Sequence, residues 1–324
     1  MPLSLEVTAR EEPGLSATLA GGKRLVFPPL NSGLVSQILA AGASTSEPLV
    51  AKSANSSDNA AILNWRVPTM ANLDETTASL WQSMQRGEPA ATALRKTLNL
   101  GDAYRVQLNL LARWQAAGKK LAGWKIGLSG ASARKRMGLS EPFTGYLLDH
   151  GHFETGHSFT YDSIPRPILE SEMCFTIGSR IAGPGATRER VLDAIGAVAP
   201  AFEIAYTGTM MADMALGIAD GAGQLAFVTG AAIVPYPRGL DLGGVSVELH
   251  KNGESVERAV NREVNDDPLD CIAWLANHLA TYSMALEQGQ RVITGSVTKP
   301  VSVAKGDSFE AIFAGIGTVS VSFL

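Results

Sequence analysis

Apolar positions fall at helical spacing twice in the first half of the chain. Leu73, Leu80, Trp81 and Met84 recur in "ANLDETTASLWQSMQRGEPA", with Asn72 or Asp74 placed to cap the start and Gly87 and Pro89 to end it. Val106, Leu110, Leu111 and Trp114 line one side of "GDAYRVQLNLLARWQAAGKK", which closes at Gly118. Then the period changes. A strand is expected through Trp124 to Leu128, followed by a short basic helix and a turn at Glu141-Pro142. "RPILESEMCFTIG" alternates as an extended chain, with Leu169, Met173, Phe175 and Ile177 on one face and Glu170, Glu172, Cys174 and Thr176 on the other. "TRERVLDAIGAVAPAFEIAY" predicts a short helix, capped by Thr187, running into a strand; "MMADMALG" predicts a short helix and "QLAFVTGAAIV" a strand.

The last third is richer in strands. Asn252-Gly253 between alternating segments predicts a hairpin, "DPLDCIAWLANHLATYSMAL" a helix, and the segment from Arg291 onward a run of short strands parted by Gly and Pro. Long helices early and short strands late, without regular βαβ alternation, predict an α+β fold around a strongly bent or closed mixed sheet. Residues 1–69 differ: "GASTSEPLVAKSANSSDNAA" is rich in Ser, Ala and Asn and has little periodicity. We expect a flexible N-terminal extension over 1–69 and a folded unit over 70–324.

Composition narrows the function classes. With 324 residues, 45% of them hydrophobic, the chain can bury a sizeable core, and a net charge of −4 gives no basic surface for nucleic acid. Only Cys174 and Cys271 occur, so no disulfide framework is implied. No apolar run reaches the length of a membrane span, and the acidic N-terminus does not read as a secretory signal, so a cytoplasmic protein is expected.

Three acids stand among hydrophobes. Glu170 and Glu172 share a face of one predicted strand, and Glu203 lies between Phe202 and Ile204 in the next. Facing water, they are ordinary surface charges or ion pairs. Facing inward, they repel one another and need a cation between them, and hard carboxylate oxygens suit Mg²⁺ or Mn²⁺.

The segments "GWKIGL", "MGLSEPFTGYLLD", "ILESEMCF", "APAFEI", "IADGAGQLAFVTG" and "GSVTKPVSVAKGD", in that order, make the chain from Met70 onward resemble the 2-keto-4-pentenoate hydratase family. That family is a branch of the fumarylacetoacetate hydrolase superfamily which also contains 4-oxalocrotonate decarboxylases. The resemblance implies a bent sheet roll or barrel preceded by helices. It implies Glu170, Glu172 and Glu203 as metal ligands and Lys125 as the catalytic lysine, beside the substrate carboxylate or in the proton path. Gly295, Ser296 and Thr298 would line the pocket. It further implies a homo-oligomer acting on a small 2-oxo or 2-hydroxydienoic acid from aromatic-ring degradation, as a hydratase or as a decarboxylase.

Two positions depart from the family pattern. Phe143 stands where many hydratases carry an acid after the proline, and "DGAG" from Asp220 replaces Asp-Asn-Ala-Ser. A C–C hydrolase remains a separate reading if His150 or His152 forms a dyad with Glu141, and a non-catalytic partner subunit is a fourth. Histidines 150, 152 and 157 without a neighbouring Cys read as loop residues rather than a zinc site, "GPGAT" as a turn, and Trp81, Trp114 and Trp274 as core.

Overall fold

The structure, a computed structural model, describes residues 72–88 and 90–324 and the backbone of two short strands, β1 (Ser16–Thr18) and β2 (Arg24–Val26), which pair antiparallel. The expectation of a flexible 1–69 lies almost wholly outside the described residues. Residues 71–324 form one compact unit.

Both early helices form where the periodicity puts them. Helix α1 (Leu73–Gln85) is capped by Asn72, whose side chain accepts from the N–H groups of Asp74 and Glu75. Asn99 caps α2 (Leu100–Ala116) in the same way, accepting from Asp102. Trp81 and Trp114 meet edge to face with ring centroids 4.7 Å apart, which locks the two helices together. The chain continues through β3 (Leu121–Gly127), α3 (Ala131–Met137), β4 (Phe143–Leu148), β5 (His152–Glu154), β6 (His157–Phe159) and β7 (Ile168–Ile177). It then passes α4 (Arg188–Ala194), β8 (Ile195–Ala205), α5 (Gly208–Ala212), α6 (Met214–Ala219) and β9 (Gln224–Thr229). Thr187 caps α4 as expected, whereas the single helix expected over "MMADMALG" is two, parted at Asp213, which caps the second.

The Asn252-Gly253 hairpin joins β10 (Ser246–Lys251) to β11 (Glu254–Val260), both turn residues adopting the positive φ that such a turn requires. After α7 (Asn261–Val264) and α8 (Pro268–Ala280) come β12 (Arg291–Ile293), β13 (Val301–Ser302), β14 (Ser308–Phe313) and β15 (Gly317–Phe323). Among the described residues no helix is long and apolar enough to cross a membrane.

Two mixed sheets result. One runs β11-β10-β14-β15-β6; the other runs β4-β3-β12-β7-β8-β9-β5, with β13 added to β7. The second sheet curls without closing: β4 and β9 approach each other with no ladder between them. The bent sheet of the expectation is therefore present, and the closed form is not. One face of it, with Trp124, Phe175, Val198 and Phe202, packs in the main core together with Ile272 and Leu275 of α8 and Val247 and Phe313 of the other sheet. The opposite face carries a small apolar cluster of Leu147, Cys174, Ala199, Ala201, Phe227 and Ile293.

The helical layer is tied to this sheet by one buried amide. Gln107 of α2 donates through Nε2 to the carbonyls of Thr144 at 3.0 Å and Ile218 at 2.6 Å. Gln107→Leu leaves both carbonyls without that donor, and is expected to lower unfolding free energy by about 2 kcal/mol, read from urea unfolding curves.

Candidate metal centre

Strand pairing, rather than side-chain reach, gathers the acids. In the β7–β8 ladder Glu170 stands directly opposite Glu203, and Glu172, two residues on, keeps the same face. Each of the three offers a carboxylate oxygen, and these oxygens all lie within 4.8 Å of one another. Glu172 and Glu203 are 1% exposed and Glu170 is half-buried, so bulk water does little to soften their repulsion.

Lys125 answers that charge from across the sheet. It lies opposite Ile293 of β12, which in turn lies opposite Cys174 of β7, so it projects from the same face as the acids. The curl brings its Nζ to 3.1 Å from Glu203 Oε1, and the lysine is 4% exposed. That contact is an ion pair outside hydrogen-bond geometry, and Glu203 Oε1 is a buried acceptor with no hydrogen-bond donor.

The electrostatics follow from burial. Burial first, then the Glu203 charge, pushes the Glu170 carboxyl up to about 7. Burial and the charges of Glu203 and Glu170 drive Glu172 well above the ordinary carboxylate range, against the pull of Lys125 and of the Gly295 N–H. Burial alone would lower the pKa of Lys125, but the charges of Glu203, Glu170 and Glu172 together raise it. One ammonium thus faces three crowded carboxylates, and the Glu203 oxygen it pairs with receives no hydrogen bond. Such a donor set fits a hard divalent cation, which would satisfy that oxygen and cancel the repulsion.

Gly295, Ser296 and Thr298 approach the same strand from two sides. The Gly295 N–H donates to Glu172 Oε2 at 2.8 Å. Ser296 Oγ accepts from the Ser171 N–H and donates to the Thr298 carbonyl, while Thr298 Oγ1 bonds Ser171 Oγ at 3.0 Å. Ser171 alternates with the acids, so these hydroxyls fasten the loop to β7. Asn265, which the motif reading passed over, holds this loop through Nδ2 bonds to Ser296 O and Asn261 Oδ1, and Ser129 Oγ donates to Asn265 Oδ1. Nothing in "NREVNDDP" marks Asn265, because the partners that tie it to the loop, Ser296 O and Ser129 Oγ, come from distant segments.

Gly295 has φ +96° and a Cβ there would stand 2.0 Å from Ser129 Oγ. Gly295→Ala is expected to swing the loop off Glu172 and to cost about tenfold to a hundredfold in turnover, as loss of ligand-orienting contacts does, measured by steady-state kinetics.

The histidine dyad does not form. His152 Nε2 lies 2.8 Å from Thr229 Oγ1, His150 lies beside Asp149, and Glu141 instead receives the Trp274 indole N–H. The reason is topological, since β4 runs its whole length between Glu141 and the histidines. Asp220 borders a different cavity of about 290 Å³, with Trp114, Tyr146, His150 and Gln224, and burial pushes its carboxyl up to about 7. None of the three clustered acids lines that cavity.

Comparison with known proteins bears on this geometry. The family described as fumarylacetoacetate (FAA) hydrolase C-terminal matches residues 138–323, which include all three acids. The 2-keto-4-pentenoate hydratase of Paraburkholderia xenovorans is 32% identical over 257 residues, covering 77% of this chain and 94% of the relative. A 4-oxalocrotonate decarboxylase of a Pseudomonas species is 31% identical over 238 residues, covering 73% and 90%. The solved 4-oxalocrotonate decarboxylase of Pseudomonas putida, complexed with magnesium and adipate, superposes with a TM-score of 0.74 at 28% identity, covering 79% of this chain and 98% of that one. Family match, relatives and curled sheet agree, and the chain belongs to the fumarylacetoacetate hydrolase family, in the branch of 2-keto-4-pentenoate hydratases and 4-oxalocrotonate decarboxylases.

Proposed function

We propose that the chain is a divalent-metal-dependent hydro-lyase that adds water to a 2-hydroxy-2,4-dienoate, giving a 4-hydroxy-2-oxo acid. The observation that carries this reading is the meeting of Glu170, Glu172 and Glu203 oxygens within 4.8 Å, with Lys125 3.1 Å from Glu203. Similarity to the named hydratases supports the substrate class, and the magnesium in the similar decarboxylase supports Mg²⁺, or Mn²⁺, as the ion. Glu170, Glu172 and Glu203 would hold that ion. Bound there, the cation supplies positive charge for the oxyanion that develops at C2 of a 2-oxo acid.

The chain's own residues do the rest. The Gly295 N–H fixes the orientation of the Glu172 carboxylate. Lys125, held on Glu203, brings a positive charge to pair with the C1 carboxylate and a proton to deliver along the conjugated chain. The 2-hydroxyl gives up its proton as C5 takes one up, which converts the dienol to an isomeric unsaturated ketone; water then adds, its hydroxyl to C4 and its remaining proton to C3. One water enters and nothing leaves. We place the catalytic unit in residues 70–324, with 1–69 as an extension, and infer a homo-oligomer working in the cytoplasm.

A second reading, decarboxylation, uses the same site, with carbon dioxide departing from a vinylogous 2-oxo diacid. It is favoured by the 31% identical relative and by the superposed structure, both named 4-oxalocrotonate decarboxylase. An ultraviolet assay decides between them. Purified chain with 2-hydroxypenta-2,4-dienoate and Mg²⁺ or Mn²⁺ should bleach the diene, and chelator should stop it. Carbon dioxide release from 4-oxalocrotonate, with the dienoate untouched, selects the decarboxylase. Turnover of neither substrate refutes both readings and points to a non-catalytic subunit.

A further inference from the structure

The Lys125 ammonium has a second neighbour besides Glu203: the Phe143 ring, whose centroid lies 5.1 Å from Nζ. Phe143 opens β4 opposite Gly127 of β3. A Cβ on Gly127 would fall 2.1 Å from Phe143 Cζ and within 2.6 Å of both Cε atoms, so the ring lies flat over the glycine. Gly127 is absent from the positive-φ residues, so space and not backbone conformation demands a glycine there. The ring is 5% exposed and is seated in the helical cluster with Leu110, Ile218 and Ala222. The neighbouring Thr144 hydroxyl donates to the Lys125 carbonyl at 2.8 Å, and Gln107 holds the Thr144 carbonyl. Lys125 is thus gripped from β4 at both its backbone and its charged end.

We propose that Phe143 is a positioning residue: its ring face, laid over Gly127, holds the Lys125 ammonium against Glu203 and shuts out water on that side. A cation over an aromatic face is attracted by the ring quadrupole, more strongly where both are desolvated. An apolar side chain of similar volume fills the space but offers no such face. The consequence for turnover rests on the hydro-lyase reading; the hold on Lys125 does not.

The test uses the full chain with Phe143→Leu, Phe143→Met and Gly127→Ala, each checked for native unfolding behaviour. With 2-hydroxypenta-2,4-dienoate and Mg²⁺, the two Phe143 variants should lose about tenfold in kcat with KM held within about twofold, the scale of a desolvated cation–aromatic contact. In substrate-free protein, acetic anhydride should acylate Lys125 several-fold faster in all three variants than in wild type, read by peptide mass spectrometry against exposed Lys135. Gly127→Ala leaves the ring intact and only displaces it, so faster labelling there ties the effect to the ring's seat. Wild-type kcat in both Phe143 variants, or unchanged labelling of Lys125, overturns the proposal. If wild-type protein turns over no dienoate, the hydro-lyase reading falls, and the labelling alone decides whether Phe143 holds Lys125.

Discussion

Glu203→Gln is expected to reduce turnover of the dienoate by about a thousandfold or more, because the several kcal/mol of charge stabilisation that come with the ion are lost with its ligand. Glutamine keeps the shape of the side chain and removes its charge, so Lys125 also loses its partner at 3.1 Å. Stability should move the other way. Without metal, three buried carboxylates crowd one another, and neutralising one relieves that repulsion while Glu170 and Glu172 still offset the Lys125 charge. The metal-free variant should therefore unfold at a temperature no lower than wild type. Adding Mn²⁺ should stabilise wild type, by about 2.7 kcal/mol at a hundred times Kd, and leave Glu203→Gln nearly unmoved. Scanning calorimetry with and without metal checks both signs. A variant that keeps its turnover, or its metal-induced rise, takes Glu203 out of the site.

Lys125→Met has the second largest expected effect, and its two consequences separate under metal. Methionine fills the volume of the lysine stem but leaves Glu203 as an uncompensated buried charge, which costs about 3–5 kcal/mol when one partner of a buried pair is removed. Urea unfolding in chelator should show that loss. Saturating Mn²⁺ should restore most of it, because a divalent cation replaces the missing positive charge. Turnover should stay down by about a hundredfold to ten-thousandfold even in saturating metal, as for loss of a proton-transfer group. Recovery of turnover along with stability would make Lys125 a counter-ion and nothing more.

The legible part of this molecule was the part written in short-range periodicity. Alternation in "ILESEMCF" placed Glu170 and Glu172 on one face, and the Asn252-Gly253 pair marked its hairpin. Strand β4 escaped because "FTGYLL" is buried on both faces and carries no alternation to read. β5 and β6 are three residues each, too short to show any period. The meeting of Glu203 with Glu170 depends on which strand pairs with β7 and at what offset, and both are tertiary choices. Phe143 looked like the mere loss of an acid. Its contact with Lys125 became visible only once β3 and β4 were paired in register.

The pairing of β7 with β8 runs unbroken from Ile168 to Thr176, and its irregularity falls only at Thr176/Ile177, beyond the acids. The three carboxylates are therefore addressed by backbone offset, in the way teeth of two gears are, and a single inserted residue in either strand ahead of its glutamate would turn that acid into the apolar core. Transplanting the cluster into another sheet would take three glutamates on one aligned antiparallel pair and a lysine two strands away from the first strand of that pair, whereas copying the flanking loops with the strands misaligned would carry over nothing.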